Sequence, residues 1–349
     1  MNSPWNRRNA DDGFTDFTSL STMLQARKAS GAERVIESKA ITVHAYEDGK
    51  LGMTAGGAGA AELTNWSFGQ LCSLARANAS FLRKLPANLV VDPLNWCLAN
   101  TASDQVKVLL ARNGVWAARA ITGKDYGRIY DADVVDDVLR IVGNDWNPPT
   151  TFDRKGRASK LYASDRDMHL TLVNETNPIE IPGKNGMDTL FRGLIIGHSE
   201  VSKCVLWIKK FLYRYSCSNR MIWQTEELGE IRIRHTKNAP NRWVNEVIPQ
   251  LREFVNTRSA PILELVRQAR RASLAVDHDA LVTFLRSQDF TIEIATAAAE
   301  RAEQNAEEAD PRSVWGVVQA LTSLAHDTPY QDDRIALETH AGRLMSRAA

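Results

Sequence analysis

Two β-prone runs, residues 106–112 and 115–122, stand either side of Asn113-Gly114, the dipeptide that best tolerates the positive φ angles of a two-residue hairpin turn. The pair commits the middle of the chain to an antiparallel hairpin. With both turn residues in the loop, Arg112 and Arg119 fall on one face and Trp116 on the other, because side chains alternate along a strand.

The segments around the hairpin extend the pattern. Residues 39–46 alternate as a strand that stops at Glu47-Asp48-Gly49, and Gly56 to Gly59 read as a flexible loop. Thr64 is placed to cap a helix carrying Phe68, Leu71, Cys72 and Ala75 at helical spacing. After the hairpin, Val134, Val135, Val138, Leu139 and Val142 form the apolar stripe of a helix over 131–142. Residues 165–173 alternate again, with Met168, Leu170 and Leu172 on one side and Asp167, His169 and Thr171 on the other. Strands are expected at 190–197, 204–217 and 230–235, and helices from Trp243 to the end. This order predicts an α+β fold: an antiparallel sheet with helices packed on one face, N-terminal helices and a helical C-terminal third. The expected divisions are a flexible segment 1–22, an α+β core 23–275 and an acidic helical region 276–349.

A chain of 349 residues with 44% hydrophobic content is long enough for such a core. Its net charge of +1 hides an uneven distribution. Residues 192–271 hold fifteen Lys/Arg against seven Asp/Glu, whereas residues 277–349 hold six Arg against thirteen acids. A basic middle is what a polyanion partner requires. Cys72, Cys97, Cys204 and Cys217 show no metal-ligand spacing and fit a reducing compartment. No apolar run suggests a signal peptide or a membrane span, so a soluble cytoplasmic protein of a bacterial host is expected, with no cofactor and no membrane contact.

The densest binding signal lies in residues 193–223, where Trp207, Phe211, Tyr213 and Tyr215 are interleaved with Lys209, Lys210 and Arg214. Polar turns bound it, His198-Ser199-Glu200 on one side and Ser218-Asn219-Arg220 on the other. Aromatic rings beside cations can stack bases while neutralising phosphates. The nucleic-acid-binding candidates are therefore Arg112, Arg119, Lys124, Arg128, Trp207, Lys209, Lys210, Arg214, Arg220, Arg232 and Arg234, with His198, Ser199, Glu200, Ser218 and Asn219 as a turn motif.

Several segments in order resemble the phage- and plasmid-encoded family catalogued as domain of unknown function 932. They are FGQLCSLARANASFLRKLP at 68–86, Arg119-Ala120-Ile121 followed by Tyr126-Gly127-Arg128-Ile129, and Asp165-Arg166-Asp167. The most specific are Gly197-His198-Ser199-Glu200-Val201 and Arg214-Tyr215-Ser216-Cys217-Ser218-Asn219, and Asp333-Arg334 through Ala341-Gly342-Arg343 also look similar. The resemblance implies a mobile-element setting near DNA processing or anti-restriction. The chain departs from the family at His198, where Asn is usual, and at Ser202 and Arg220, where Gly is usual; a glycine lost from a turn forfeits its freedom at positive φ. The element order is also similar to the core of phage single-strand annealing recombinases.

The leading expectation is a single-stranded DNA-binding protein, extending to strand annealing by a homo-oligomer, rather than an enzyme. One alternative is a metal-dependent nuclease using Asp165, Asp167 and His169 on one strand face. Another is an anti-defence protein whose acidic C-terminal region docks a host or phage protein.

Overall fold

The computed structural model describes residues 5–55, 58–150, 161–183, 186–214, 219–222, 230–256 and 262–347. The chain is α+β, built on two sheets rather than one.

The first sheet grows around the hairpin Gln105–Asn113 and Val115–Gly123. Asn113 pairs with Val115, so Gly114 turns the chain alone at φ 73°. This register differs by one residue from a two-residue loop, and a one-residue slip exchanges faces. Arg112 therefore stands opposite Trp116 and shares its face, which corrects the expected separation. A bulge follows: Leu110 opposes Ala118 and Leu109 opposes Ala120, leaving Arg119 as the extra residue. The full order is Ala32–Glu37, Gln105–Asn113, Val115–Gly123, Ala58–Leu63, Leu51–Ala55, Ile41–Ala45. Every pairing is antiparallel except Ala58–Leu63 with Val115–Gly123.

Thr64 caps the helix Asn65–Leu74 through a capping box with Ser67. Phe68 and Leu71 of that helix, with Val90 and Leu94 of Ala87–Asn100, bury Val43, Met53, Leu63 and Val108 of the sheet. The N-terminal segment joins the same core, because Trp5 is 2% exposed and tilted against Phe68. Residues 5–22 are thus held by packing, and the helix Phe17–Ala29 begins inside them.

The second sheet is centred on the long hairpin Met168–Gly183 and Gly186–His198, flanked by Leu206–Arg214 and then Asn219–Ile222. Asp12–Phe14 and Leu161–Ala163 extend it at the other edge, and Ile231–Ile233 pairs with Leu206–Arg214. Met168, Leu170 and Leu172 face one way, as their alternation predicts. They pack with Leu194, Ile196, Leu206 and Ile208 against Leu20 and Leu24 of Phe17–Ala29, Val134 and Val138 of Asp131–Val142, and Leu251 of Ile248–Asn256. The opposite face is covered too: Val173, Ile195, Phe211 and Tyr213 meet Ile335 of the helix Gln331–Gly342. This sheet has helices on both faces, not one.

Three of the C-terminal helices are started by side-chain caps. Asp277, Thr291 and Ser313 each accept a backbone N–H in the first turn of the helix that follows. Their core, including Leu285, Phe290, Trp315 and Leu321, takes in Val266 and Ala269 as well as Ile181, Leu190 and Leu212 of the sheet. Backbone bonds Leu274 N to Arg312 O and Val314 N to Ala272 O, each 2.9 Å, cross the expected boundary at 275/276. One packed unit spans it.

Candidate nucleic-acid interface

The turn after Gly186–His198 is the seam between the two sheets. Trp66 Nε1 and Gln70 Nε2, from the helix over the first sheet, both donate to Val201 O at 2.8 Å. Ser199 Oγ donates to Arg166 O at 2.6 Å and accepts from Lys203 N at 2.8 Å. Tyr126 Oη donates to Ser199 O at 3.0 Å. Ser202 holds φ 69°, the conformation for which glycine is the easier residue.

Glu200 sits at the centre of this seam. Its carboxylate is ion-paired with Arg119 and accepts Asp131 N at 3.1 Å, while Arg128 donates to its backbone oxygen. Burial alone raises a carboxyl pKa, but the Arg119 charge and hydrogen bond outweigh it and hold Glu200 below its usual value. Asp131 is raised instead, by burial and by the Glu200 charge, and it is hydrogen-bonded to His198 Nδ1 at 2.6 Å.

This arrangement relocates five candidates. Arg119, Arg128, His198, Ser199 and Glu200 are 0–8% exposed. A guanidinium already bonded to a buried carboxylate or carbonyl cannot also reach a phosphate without stranding its partner. Their role is to join the sheets.

Arg214 and Arg220 are likewise buried. Arg214 Nε lies 2.9 Å from Asp188 Oδ2 and its Nη1 lies 3.0 Å from Glu308. Arg220 occupies a regular strand position opposite Tyr213, where positive φ is not needed. Its Nε donates to Glu338 at 3.0 Å and its Nη1 to Thr171 at 2.8 Å. Both cations tie the second sheet to the C-terminal helices. Phe211 and Tyr213 are core residues. Asn219 begins the strand Asn219–Ile222, and Tyr215 and Ser218 lie outside the described residues. Lys210 is half-buried with its Nζ 4.3 Å from the Phe254 ring centroid. Arg112, Lys124, Arg232 and Arg234 are exposed.

Two of the candidates, Trp207 and Lys209, meet in a cleft of about 400 Å³ between the second sheet and the helix Gln331–Gly342. Trp207 is half-buried on the strand Leu206–Arg214 and pairs with Arg232 on the neighbouring strand, so indole and guanidinium share a face. Lys209 Nζ lies 5.0 Å from the indole centroid and 3.4 Å from Thr339 Oγ1. Burial depresses its pKa; Glu230 opposes that, while the charges of Arg232 and Arg343 add to it. Lys203, Asp332, Ile335, Ala336, Thr339, His340 and Arg343 also line it, and Lys203 Nζ lies 3.7 Å from Asp332 Oδ2.

Asp167 and His169 line the same cleft. His169 is 4% exposed and neither ring nitrogen has a hydrogen-bond partner. Asp167 accepts Ser164 Oγ at 2.6 Å, and although burial opposes ionisation, His169 and Ser164 hold its pKa at about 2. Burial pushes the Cys204 thiol up to about 12, which removes it as a nucleophile at neutral pH. Asp165 does not join this group. Residues 164–167 form a turn closed by Ser164 N to Asp167 O at 2.8 Å, not a strand, and Asp165 lines a different cleft. The expected Asp165–Asp167–His169 face is therefore split. Among the described residues, no three His, Cys, Asp or Glu side chains converge as a metal site.

No family model, curated protein or solved structure matches the chain. Among the described residues, no helix is long and apolar enough to cross a membrane.

Proposed function

We propose that this protein binds single-stranded DNA, with the Trp207 cleft taking a base and the surrounding cations its phosphates. The observation that carries this reading is a half-buried indole in a cleft lined by Lys209, Arg343 and Lys203, the last paired with Asp332 at 3.7 Å, while Arg232 stands beside the indole on the neighbouring strand. A cleft of about 400 Å³ lies within the roughly 300–1,000 Å³ range of small-ligand sites. Stacking on an aromatic ring contributes ~1–3 kcal/mol per base and tolerates any sequence. Such a mode needs neither a metal nor a cofactor. A mobile-element setting, implied by the resemblance to domain of unknown function 932, is one where single strands are exposed during DNA processing. Strand annealing would further require several copies on one strand.

Fluorescence polarisation with a labelled single-stranded oligonucleotide tests the proposal. Binding should fall steeply with salt, as phosphate neutralisation releases counterions. Absence of binding at low salt rejects it.

A further inference from the structure

A second cleft, of about 940 Å³, lies between the helix Phe17–Ala29, the hairpin end carrying Arg112 and Ala117, and the turn at Ser164 and Asp165. Three guanidinium groups line it, those of Arg27, Arg112 and Arg119. Arg119 is committed to Glu200. The other two are not committed to an acid. Arg27 Nη1 donates to Ser164 O at 2.9 Å, and Arg112 lies 6.0 Å from the Trp116 ring centroid; neither has an ion-pair partner among the described residues. Burial, joined by the nearby Arg119 charge, depresses the pKa of Arg27 although the charges of Asp131, Glu200 and Asp12 oppose it.

The acids at this cleft do not cancel that excess. Asp12 is exposed at its edge. Asp165 leans towards Arg166, with Oδ1 3.6 Å from Nε, yet Oδ1 is buried without a hydrogen-bond partner. A buried acceptor left unpaired costs on the order of 1–3 kcal/mol. The cleft thus presents two uncommitted cations and one acceptor in need of a donor. A simple anion satisfies only the first. A phosphorylated sugar satisfies both.

We propose that this cleft is a nucleotide-binding site, separate from the Trp207 cleft, with phosphate on Arg27 and Arg112 and a sugar hydroxyl donated to Asp165. The nucleotide is either free or one unit of a strand, and the two sources are separable by experiment.

The test is calorimetric titration of the full chain with ATP, with inorganic pyrophosphate and with a single-stranded oligonucleotide. Arg112→Ala is the main variant, because its side chain is exposed and its loss leaves both cores intact. It should weaken the ligand that uses the site by on the order of 10-fold or more, the loss expected for a charge-assisted hydrogen bond. Asp165→Asn should weaken ATP but leave pyrophosphate unchanged. ATP binding sensitive to Arg112→Ala identifies a free nucleotide; sensitivity confined to the oligonucleotide identifies a unit of a strand. No binding by either ligand at millimolar concentration, or binding indifferent to Arg112→Ala, overturns the proposal. Trp207→Ala should not alter ATP binding, so failure of the Trp207 reading leaves this result readable.

Discussion

Trp207 and Gly197 face each other across the antiparallel pair, and a Cβ at residue 197 would lie 2.1 Å from the indole. Gly193 and Phe211 repeat the relationship four residues along the strands, with a Cβ 2.2 Å from the phenyl ring. Each glycine lets a large ring lie flat across the neighbouring strand. The two rings have different fates: Phe211 is sealed in the core and Trp207 lines the cleft. Gly193→Ala should overpack the core and cost about 1–3 kcal/mol in urea denaturation. Gly197→Ala should lower oligonucleotide affinity more than it lowers stability, since the indole can move into the cleft. Equal stability losses with unchanged binding would contradict the assignment of Trp207.

Trp207→Ala should reduce single-strand affinity by ~1–3 kcal/mol, roughly 5- to 150-fold, for oligonucleotides of any sequence. Lys209→Met should instead flatten the salt dependence by about one unit of log–log slope. Polarisation titrations from low to moderate salt separate the two effects. A loss at Trp207 that depends strongly on base sequence would argue for edge recognition rather than stacking.

Glu200 and Glu338 each neutralise a buried arginine, Arg119 in the first case and Arg220 in the second, and Glu338 also pairs with the half-buried Arg334. Removing one partner of such a pair leaves a charge in a dry environment, at about 3–5 kcal/mol. Glu200→Gln and Glu338→Gln should both show losses of that order by chemical denaturation. A change below about 1 kcal/mol would mean that water reaches the pair.

Acid should destabilise the protein in two stages. His235 stacks on Tyr126 at 4.9 Å, and burial, reinforced by the His198 charge, lowers its pKa from 6.5 to about 3. The unfolded chain therefore takes up this proton first as pH falls, so stability present above 6.5 declines down to about 3, by at most about 1.4 kcal/mol per pH unit. Asp167, lowered from 3.8 to about 2, adds stability above 3.8 that is lost as pH falls towards 2. Thermal melts between pH 7 and 4 should show the first limb, and His235→Phe should flatten it. An unchanged slope would reassign that limb to another group.

Local pattern was readable in the sequence where local forces decide. The valine stripe of Asp131–Val142, the Thr64 cap and the alternation of Met168, Leu170 and Leu172 all appear in the fold. The strands Leu51–Ala55 and Ala58–Leu63 were not readable, since LGMTA holds a single β-branched residue, Thr54, and AGAAEL holds no β-branched or aromatic residue to mark a strand. Tertiary closeness selects them: a Cβ at Gly52 would lie 2.6 Å from the His44 and Tyr46 rings. The fate of the cations was hidden for a related reason. Arg119 and Glu200 are 81 residues apart, and Arg220 and Glu338 are 118 apart, so composition registers the charge but not its partner. Lys203 and Arg343 reach the Trp207 cleft from a turn and a helix end that no spacing rule connects.

The helix Gln331–Gly342 forms one wall of that cleft, and it is fastened along its length. Glu338, fully buried, holds Arg220 and Arg334, while Asp332 holds Arg8 at 2.9 Å and Gln331 N bonds Asp11 at 2.9 Å. Swinging this wall outward would strand Glu338 and Arg220 together. Under the proposed reading, a ligand would therefore enter past a wall that does not swing aside. Its association rate should rise linearly with concentration, set by charge-guided encounter instead of a gating step, and its residence time should be decided at the indole.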